Sequence, residues 1–159
     1  MLAFFTLLLA LLTNAAGASI QPVKWKLIGG EGARRVAAGK ITALQLQADI
    51  AAGWHIYSLT QKPGGPIPLR ISLSNAADVS ILGRIAAPKP VRSFDKNFGL
   101  ATELYSGRAL FSVPVGVPTG SRAGTRKVSL DSRYQVCSDK LCLPARTQKF
   151  DVTLQITRR

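Results

Sequence analysis

The chain has 159 residues, of which 47% are hydrophobic and 18% are charged, and its formal net charge is +13. This length and balance exclude a disordered chain and predict a packed globular domain with a sizeable core. The basic residues are dispersed without a strong cluster, so we interpret them as a solvated surface and predict no binding to nucleic acid.

The N-terminus is typical of a secretory signal peptide. An apolar run from Leu2 to Leu12 is short for a membrane span, and Ala16-Gly17-Ala18 fits the small-x-small cleavage pattern, although no Lys or Arg precedes the run. We therefore predict a signal peptide at residues 1–18 and a single soluble, exported domain at residues 19–159. A buried N-terminal strand or helix is the alternative.

Apolar residues then alternate in several short stretches that are separated by Gly- and Pro-rich turns, which predicts β-strands. The clearest is residues 41–50, where Leu44, Leu46, Ala48 and Ile50 share one face. Further strands are predicted within residues 54–59, 69–74, 79–85, 127–136 and 149–157, a Gly-broken hairpin or bulged strand within 103–117, and a loop at 87–99.

The pattern as a whole predicts an all-β protein. No segment repeats apolar residues at helical spacing over three turns, and seven to nine short strands favour an immunoglobulin-like antiparallel β-sandwich. An immunoglobulin domain proper is disfavoured, because its two cysteines lie far apart in sequence. Here Cys137 and Cys142 are close together near the C-terminus.

These two cysteines are the only ones in the chain, and they offer three kinds of chemistry. A metal site is disfavoured, because the only histidine is His55 and structural zinc takes four ligands; we predict no metal and no cofactor. His55 itself is interpreted as a surface-facing or hydrogen-bonded structural residue rather than a general base.

The other two kinds are a structural disulfide and a reactive pair. Closing so short a ring stabilises a fold by only about 2 kcal/mol, which weakens the structural interpretation without excluding it. A reactive pair needs two thiols close enough to join and exposed enough to be attacked, and Lys140 between them favours a thiolate while Asp139 opposes it. Spacing alone leaves both alternatives open.

Three stretches resemble one family, the N-terminal periplasmic domain of the thiol:disulfide interchange protein DsbD. Tyr134-Gln135, Cys137, Ser138-Asp139, Cys142 and Pro144 resemble its redox segment. Residues 53–58, GWHIYS, are similar to its Gly-aromatic-x-x-Tyr strand. Residues 94–105, FDKNFGLATELY, are similar to its cap loop and the strand after it.

The resemblance implies an immunoglobulin-like fold whose cysteine pair cycles between dithiol and disulfide. In the family this domain takes electrons from the cytosol through a membrane-embedded domain and a thioredoxin-like domain. It then reduces periplasmic disulfide isomerases and the thioredoxin-like proteins of cytochrome c maturation. Carried over, Cys137 and Cys142 are the catalytic pair, Phe98 is the cap-loop aromatic that shields it, and Tyr57 borders the site.

The chain also departs from the family. Lys96 and Asn97 stand where acidic residues usually precede the cap-loop aromatic, with Asp95 one step further back, so acid-base assistance from those positions is in doubt. Ala145 stands where a second proline is frequent. The sequence contains no membrane domain and no thioredoxin domain after residue 159, so for a complete chain the resemblance implies a separate membrane electron donor.

We therefore expect a periplasmic thiol:disulfide interchange domain that carries electrons to thioredoxin-like partners. If the pair is redox-active, it has thiol:disulfide oxidoreductase activity. The main rival is a non-redox β-sandwich interaction module with a structural disulfide. A third interpretation, in which the basic surface binds anionic lipid or glycan, predicts adhesion that depends on salt and not on the cysteines.

Overall fold

In a computed structural model, residues 20–30, 32–76 and 78–158 are described, and the predicted signal peptide lies outside them. The described residues form twelve strands and no helix, so none of them provides a helix that could cross a membrane. The strands are β1 (Val23–Ile28), β2 (Arg34–Ala37), β3 (Ile41–Ile50), β4 (Trp54–Tyr57), β5 (Arg70–Ser74), β6 (Ser80–Ile81), β7 (Val91–Asp95), β8 (Leu100–Tyr105), β9 (Arg108–Gly116), β10 (Gly124–Tyr134), β11 (Val136–Ser138) and β12 (Arg146–Thr157).

Two four-stranded sheets form the body of an immunoglobulin-like sandwich. One has the strand order β1-β3-β9-β6 and the other β2-β12-β10-β5. All pairs within them are antiparallel except β2 with β12, which run parallel. The predicted fold class is confirmed.

Alternating apolar side chains from both sheets fill the space between them. On β3, Leu44, Leu46 and Ala48 are fully buried, as their period-two spacing predicts. Leu130 on β10 and Leu154 on β12 are equally buried in the same cluster. Each of these buried leucine side chains contributes about 1.5–3 kcal/mol by leaving water, so this cluster is the main source of stability.

A third sheet, with the order β11-β4-β8-β7, carries the cysteines. It is continuous with the sandwich because β11 follows β10 after a single residue, Gln135. The Gln135 side chain accepts a hydrogen bond from the Ile67 amide at 3.1 Å. The well-packed sandwich therefore fixes the strand that presents the cysteines.

Two predictions about the strands are wrong. Residues 87–99 are not all loop, because β7 lies within them. β7 is an edge strand whose first four side chains are exposed, so it lacks the alternation that identifies a half-buried strand. Residues 103–117 form neither a hairpin nor one bulged strand. The chain leaves the third sheet after β8, turns at Gly107 (φ 64°) and enters the first sheet as β9.

The number of strands is also higher than the seven to nine predicted. The structure adds β1 and β2, for which the sequence pattern gave no prediction, and it reduces the strand predicted within residues 79–85 to the two residues of β6.

Candidate functional site

Both cysteines lie in a short two-stranded turn, residues 136–143, which we call the cysteine hairpin. The Leu143 amide donates to the Val136 carbonyl, and the Ser138 amide donates to the Leu141 carbonyl, each at 2.9 Å. Cys137 and Cys142 face each other between these two hydrogen bonds and form a disulfide, with their Cα atoms 4.1 Å apart. This is the close approach expected for a pair without hydrogen bonds in an antiparallel ladder.

The sequence SDKL, residues 138–141, explains why the chain turns here. The Ser138 hydroxyl oxygen accepts hydrogen bonds from the amides of Lys140 and Leu141, each at 3.3 Å. A serine side chain that bonds to the backbone two or three residues on is a common way to stabilise a tight turn. Asp139 and Lys140 are exposed at the tip.

The two sulfurs have different environments. Cys137 is fully buried in β11, opposite His55 of β4, whereas Cys142 is only half-buried. An attacking molecule from solution therefore reaches Cys142 first.

A buried tyrosine–carboxylate pair lies beside Cys142. The Tyr57 hydroxyl is 4.0 Å from Cys142 Sγ and donates a hydrogen bond to Asp95 Oδ2 at 2.6 Å. Tyr57 is fully buried and Asp95 is 5% exposed. Because a buried carboxylate needs hydrogen-bond donors, the two side chains hold each other in place.

Asp95 also begins the cap loop, residues 95–99. The Asn97 amide donates to Asp95 Oδ1 and the Gly99 amide donates to the Asp95 carbonyl, both at 2.8 Å. The Asn97 side-chain amide then donates to the Ser138 carbonyl at 2.9 Å. The cap loop is thus attached directly to the cysteine hairpin, although 41 residues separate Asn97 from Ser138 in sequence.

The cap loop places Phe98 against Tyr57. Their rings meet edge to face with centroids 6.0 Å apart, and Phe98 is half-buried. The structure therefore brings all four predicted site residues, Cys137, Cys142, Phe98 and Tyr57, into one neighbourhood.

Sequence reasoning missed two members of this neighbourhood. Lys96 and Asn97 supply no carboxylate, but the site still contains one, because the Asp95 side chain points inward and bonds to Tyr57. His55 is hydrogen-bonded, as expected, but its partner is the Tyr57 hydroxyl, 3.3 Å from His55 Nε2. The alternation within WHIY was the available signal, since it puts His55 and Tyr57 on one face of β4.

The environment changes the acid-base behaviour of both aromatic side chains. Burial, followed by the hydrogen bond to Asp95 and its charge, raises the pKa of Tyr57, so its hydroxyl stays protonated at neutral pH. Burial lowers the pKa of His55, although the Asp95 and Asp139 carboxylates oppose this effect. Within the described residues, no three His, Cys, Asp or Glu side chains are grouped so that they could hold a metal ion.

The fold and this site together define an immunoglobulin-like domain with a disulfide in a capped hairpin at one end. Residues 27–154 match the family model described as "Thiol:disulfide interchange protein DsbD, N-terminal". The chain belongs to this family of N-terminal DsbD domains, and it is thus a thiol:disulfide interchange domain. Among curated protein sequences, none matches the chain.

Solved structures similar to this fold include two N-terminal domains. The reduced DsbD N-terminal domain of Neisseria meningitidis matches with a TM-score of 0.51 and 21% identity, over 74% of this chain and 82% of that one. The N-terminal periplasmic domain of ScsB from Proteus mirabilis matches with a TM-score of 0.50 and 16% identity, over 84% of this chain. The match covers 45% of the ScsB chain, so this chain spans less than half of that protein's length.

Proposed function

We propose that this domain is an exported electron carrier in which Cys137 and Cys142 alternate between dithiol and disulfide. It receives electrons from a membrane-embedded donor and passes them to thioredoxin-like proteins in the periplasm. The observation that carries the proposal is the disulfide itself: one sulfur is buried, the other is partly accessible, and the cap loop is hydrogen-bonded to their hairpin, in a member of the DsbD N-terminal family.

A purely structural role for the disulfide is poorly supported. The hydrogen bonds on both sides of the pair already hold the hairpin closed. The loop-closure contribution of so short a ring is about 2 kcal/mol, whereas disulfides that close long loops contribute more. The rival interaction module therefore has little need for this bond.

The difference in burial supports different roles for the two sulfurs. Cys142, as a thiolate, attacks one sulfur of the partner's disulfide; a mixed disulfide forms and the partner's other sulfur leaves with the electron pair. Cys137 loses its proton and attacks Cys142 Sγ, and the second partner sulfur leaves as a thiolate. This domain is oxidised, the partner is reduced, and the two protons given up by the cysteines balance those taken by the partner's thiols.

Phe98 and Tyr57 control access in this proposal. Phe98 packs on Tyr57, and the cap loop is attached to the hairpin through Asn97. Small oxidants are kept away from the dithiol, and a protein partner displaces the loop when it docks.

The proposed location is the periplasm. Support comes from the predicted signal peptide at residues 1–18 and from the ScsB relative, whose matching domain is described as periplasmic. Electron flow toward cytochrome c maturation is part of the same proposal. Mass spectrometry of the exported protein tests the predicted end of the signal peptide at residue 18, since the mature chain should begin at Ser19.

Trapping of mixed disulfides in the native host tests the function. Cys137→Ser removes the resolving thiol, so it should accumulate a covalent complex between Cys142 and a thioredoxin-like partner. Cys142→Ser should accumulate much less, because Cys137 is buried. The double variant Cys137→Ser/Cys142→Ser is the control and should give no complex.

Equal trapping by the two single variants would contradict the assignment of Cys142 as the attacking thiol. If neither variant gave a complex in cells that express the folded protein, the electron-carrier function would be wrong and the structural role would replace it.

A further inference from the structure

His55 is a titratable side chain for which the electron-carrier chemistry described so far has no role. It is the only histidine in the chain, and its side chain is 13% exposed. It lies directly opposite Cys137 in the β4–β11 ladder, and directly opposite residues share one face of a sheet. The imidazole is therefore next to the reacting sulfurs and largely shielded from water.

A short series of polar atoms connects this imidazole to Cys142. Cys142 Sγ is 4.0 Å from the Tyr57 hydroxyl oxygen, which is 3.3 Å from His55 Nε2. His55 Nε2 is in turn 3.7 Å from Asp95 Oδ2. The hydroxyl of Tyr57 is thus within reach of the sulfur, the imidazole and the carboxylate.

Burial holds the pKa of His55 below its usual value, so the imidazole is neutral at rest and able to accept a proton. Asp95 at the end of β7 and Asp139 in the cysteine hairpin both attract the imidazolium, while burial opposes it. Lys96 is the cation among the groups that line the cavity of about 240 Å³ beside His55, which Asp95 and Asp139 also line. This cavity gives the imidazole contact with solvent water.

We propose that His55 is a positioning residue that takes up the proton released when Cys142 becomes a thiolate. The inference rests on the proposed function of the cysteine pair. In the reduced protein the Cys142 thiol gives its proton to the Tyr57 hydroxyl, which turns from Asp95 and gives its own proton to His55 Nε2. The products are a Cys142 thiolate, a neutral tyrosine and an imidazolium beside the Asp95 carboxylate.

No electron moves in this step, and one proton passes from sulfur to nitrogen. The raised pKa of Tyr57 fits the step, because the hydroxyl relays a proton without remaining ionised. After the thiolate attacks the partner's disulfide, the imidazolium releases its proton to the water of the cavity. Cys142 thereby has a larger thiolate fraction at neutral pH, although the carboxylates of Asp95 and Asp139 disfavour a thiolate.

The alkylation rate of Cys142 tests this inference. In the Cys137→Ser background Cys142 is the only thiol, and its reaction with iodoacetamide from pH 4 to pH 9 reports the thiolate fraction. His55→Gln keeps a hydrogen-bonding group but cannot take up a proton. It should lower the rate at pH 7 by about threefold to tenfold and move the profile to higher pH, since one pKa unit corresponds to a tenfold change in the thiolate ratio.

Two further variants show whether a change in the alkylation rate comes from loss of the titrating group or from altered packing. His55→Phe keeps a ring in place and should lower the rate as much as His55→Gln; if it does not fold, His55→Gln decides. Ser93→Ala alters the same cavity without changing its charge and should leave the profile unchanged. A wild-type pH profile in His55→Gln would overturn the proposal.

NMR titration of the imidazole provides an independent readout, because the chain has no other histidine. The imidazolium should persist to higher pH in the reduced protein than in the oxidised protein, since only the former contains a thiolate. Identical titrations in the two states would also overturn the proposal. Both measurements need no partner protein, so their failure is distinguishable from failure of the trapping experiment.

Discussion

The centre of the sandwich and the cysteine end of the molecule are held together by different interactions. Phe111, Leu130 and Leu154 belong to the apolar cluster between the two main sheets and have no exposed surface. At the cysteine end, Tyr57 is also fully buried and Asp95 is nearly so, but a hydrogen bond between them fixes their positions. The first region depends on apolar area, and the second on directed polar contacts.

This difference separates stability from reactivity. Apolar packing is non-directional and sums over many residues, so the centre stabilises the whole fold. A hydrogen bond adds only about 0.5–1.5 kcal/mol, but it sets which atom faces which. Changes in the centre should therefore alter unfolding, and changes at the cysteine end should alter chemistry.

The largest effect is expected from Leu130→Ala in the centre. Deleting a fully buried leucine side chain leaves a cavity and should lower the free energy of unfolding by about 2–5 kcal/mol. Denaturant unfolding measures this change. Leu110→Ala is the matched control, because Leu110 is 47% exposed and its truncation should cost no more than about 0.5 kcal/mol.

Leu130→Ala also tests whether the centre of the sandwich affects the reactivity of the cysteines. Folded, reduced Leu130→Ala protein should react with a thiol reagent at the wild-type rate. A large change in that rate would mean that the two regions are not separable.

Reduction of the disulfide should have a smaller effect on stability. The hairpin remains hydrogen-bonded without it, so oxidised and reduced protein should differ by at most about 2 kcal/mol in the free energy of unfolding. Denaturant midpoints of the two forms measure the difference. A loss well above that figure would support the structural role and weaken the electron-carrier account.

The smallest effect on stability is expected from Phe98→Ala, which acts on access. Phe98 is half-buried over Tyr57, so its removal should open the site and speed the reaction of the reduced protein with a small thiol reagent severalfold. Phe94→Ala, at a 65% exposed position on neighbouring β7, is the control and should leave the rate unchanged. Equal rates for Phe98→Ala and wild type would remove Phe98 from the site.

The sequence predicted the strands of the centre better than those at the edges. In β3 and β12, apolar residues recur at every second position from Leu44 to Ile50 and from Phe150 to Ile156, and both strands were identified. β7 was missed, because it has one hydrogen-bonded neighbour and exposed side chains. Local pattern also gave no sign that Gly107 separates two sheets rather than two arms of a hairpin.

The site was predictable as far as the motif residues extend. The spacing of Cys137 and Cys142 and the resemblance around them led to the site. The sequence did not identify Asp95 and His55 as members of the site, because their roles depend on contacts with Tyr57. The contact between Tyr57 and Asp95 spans 38 positions of sequence. No local pattern encodes which carboxylate of the cap loop points inward.

The reduction potential of the Cys137–Cys142 pair tests the central claim most directly. Equilibration of the purified domain against defined dithiol–disulfide buffers, with quantification of free thiols, gives this value. Structural disulfides of exported proteins lie below about −300 mV, whereas pairs that exchange electrons with thioredoxin-like partners lie above it. We predict a value above about −300 mV; a value clearly below it would contradict the electron-carrier function.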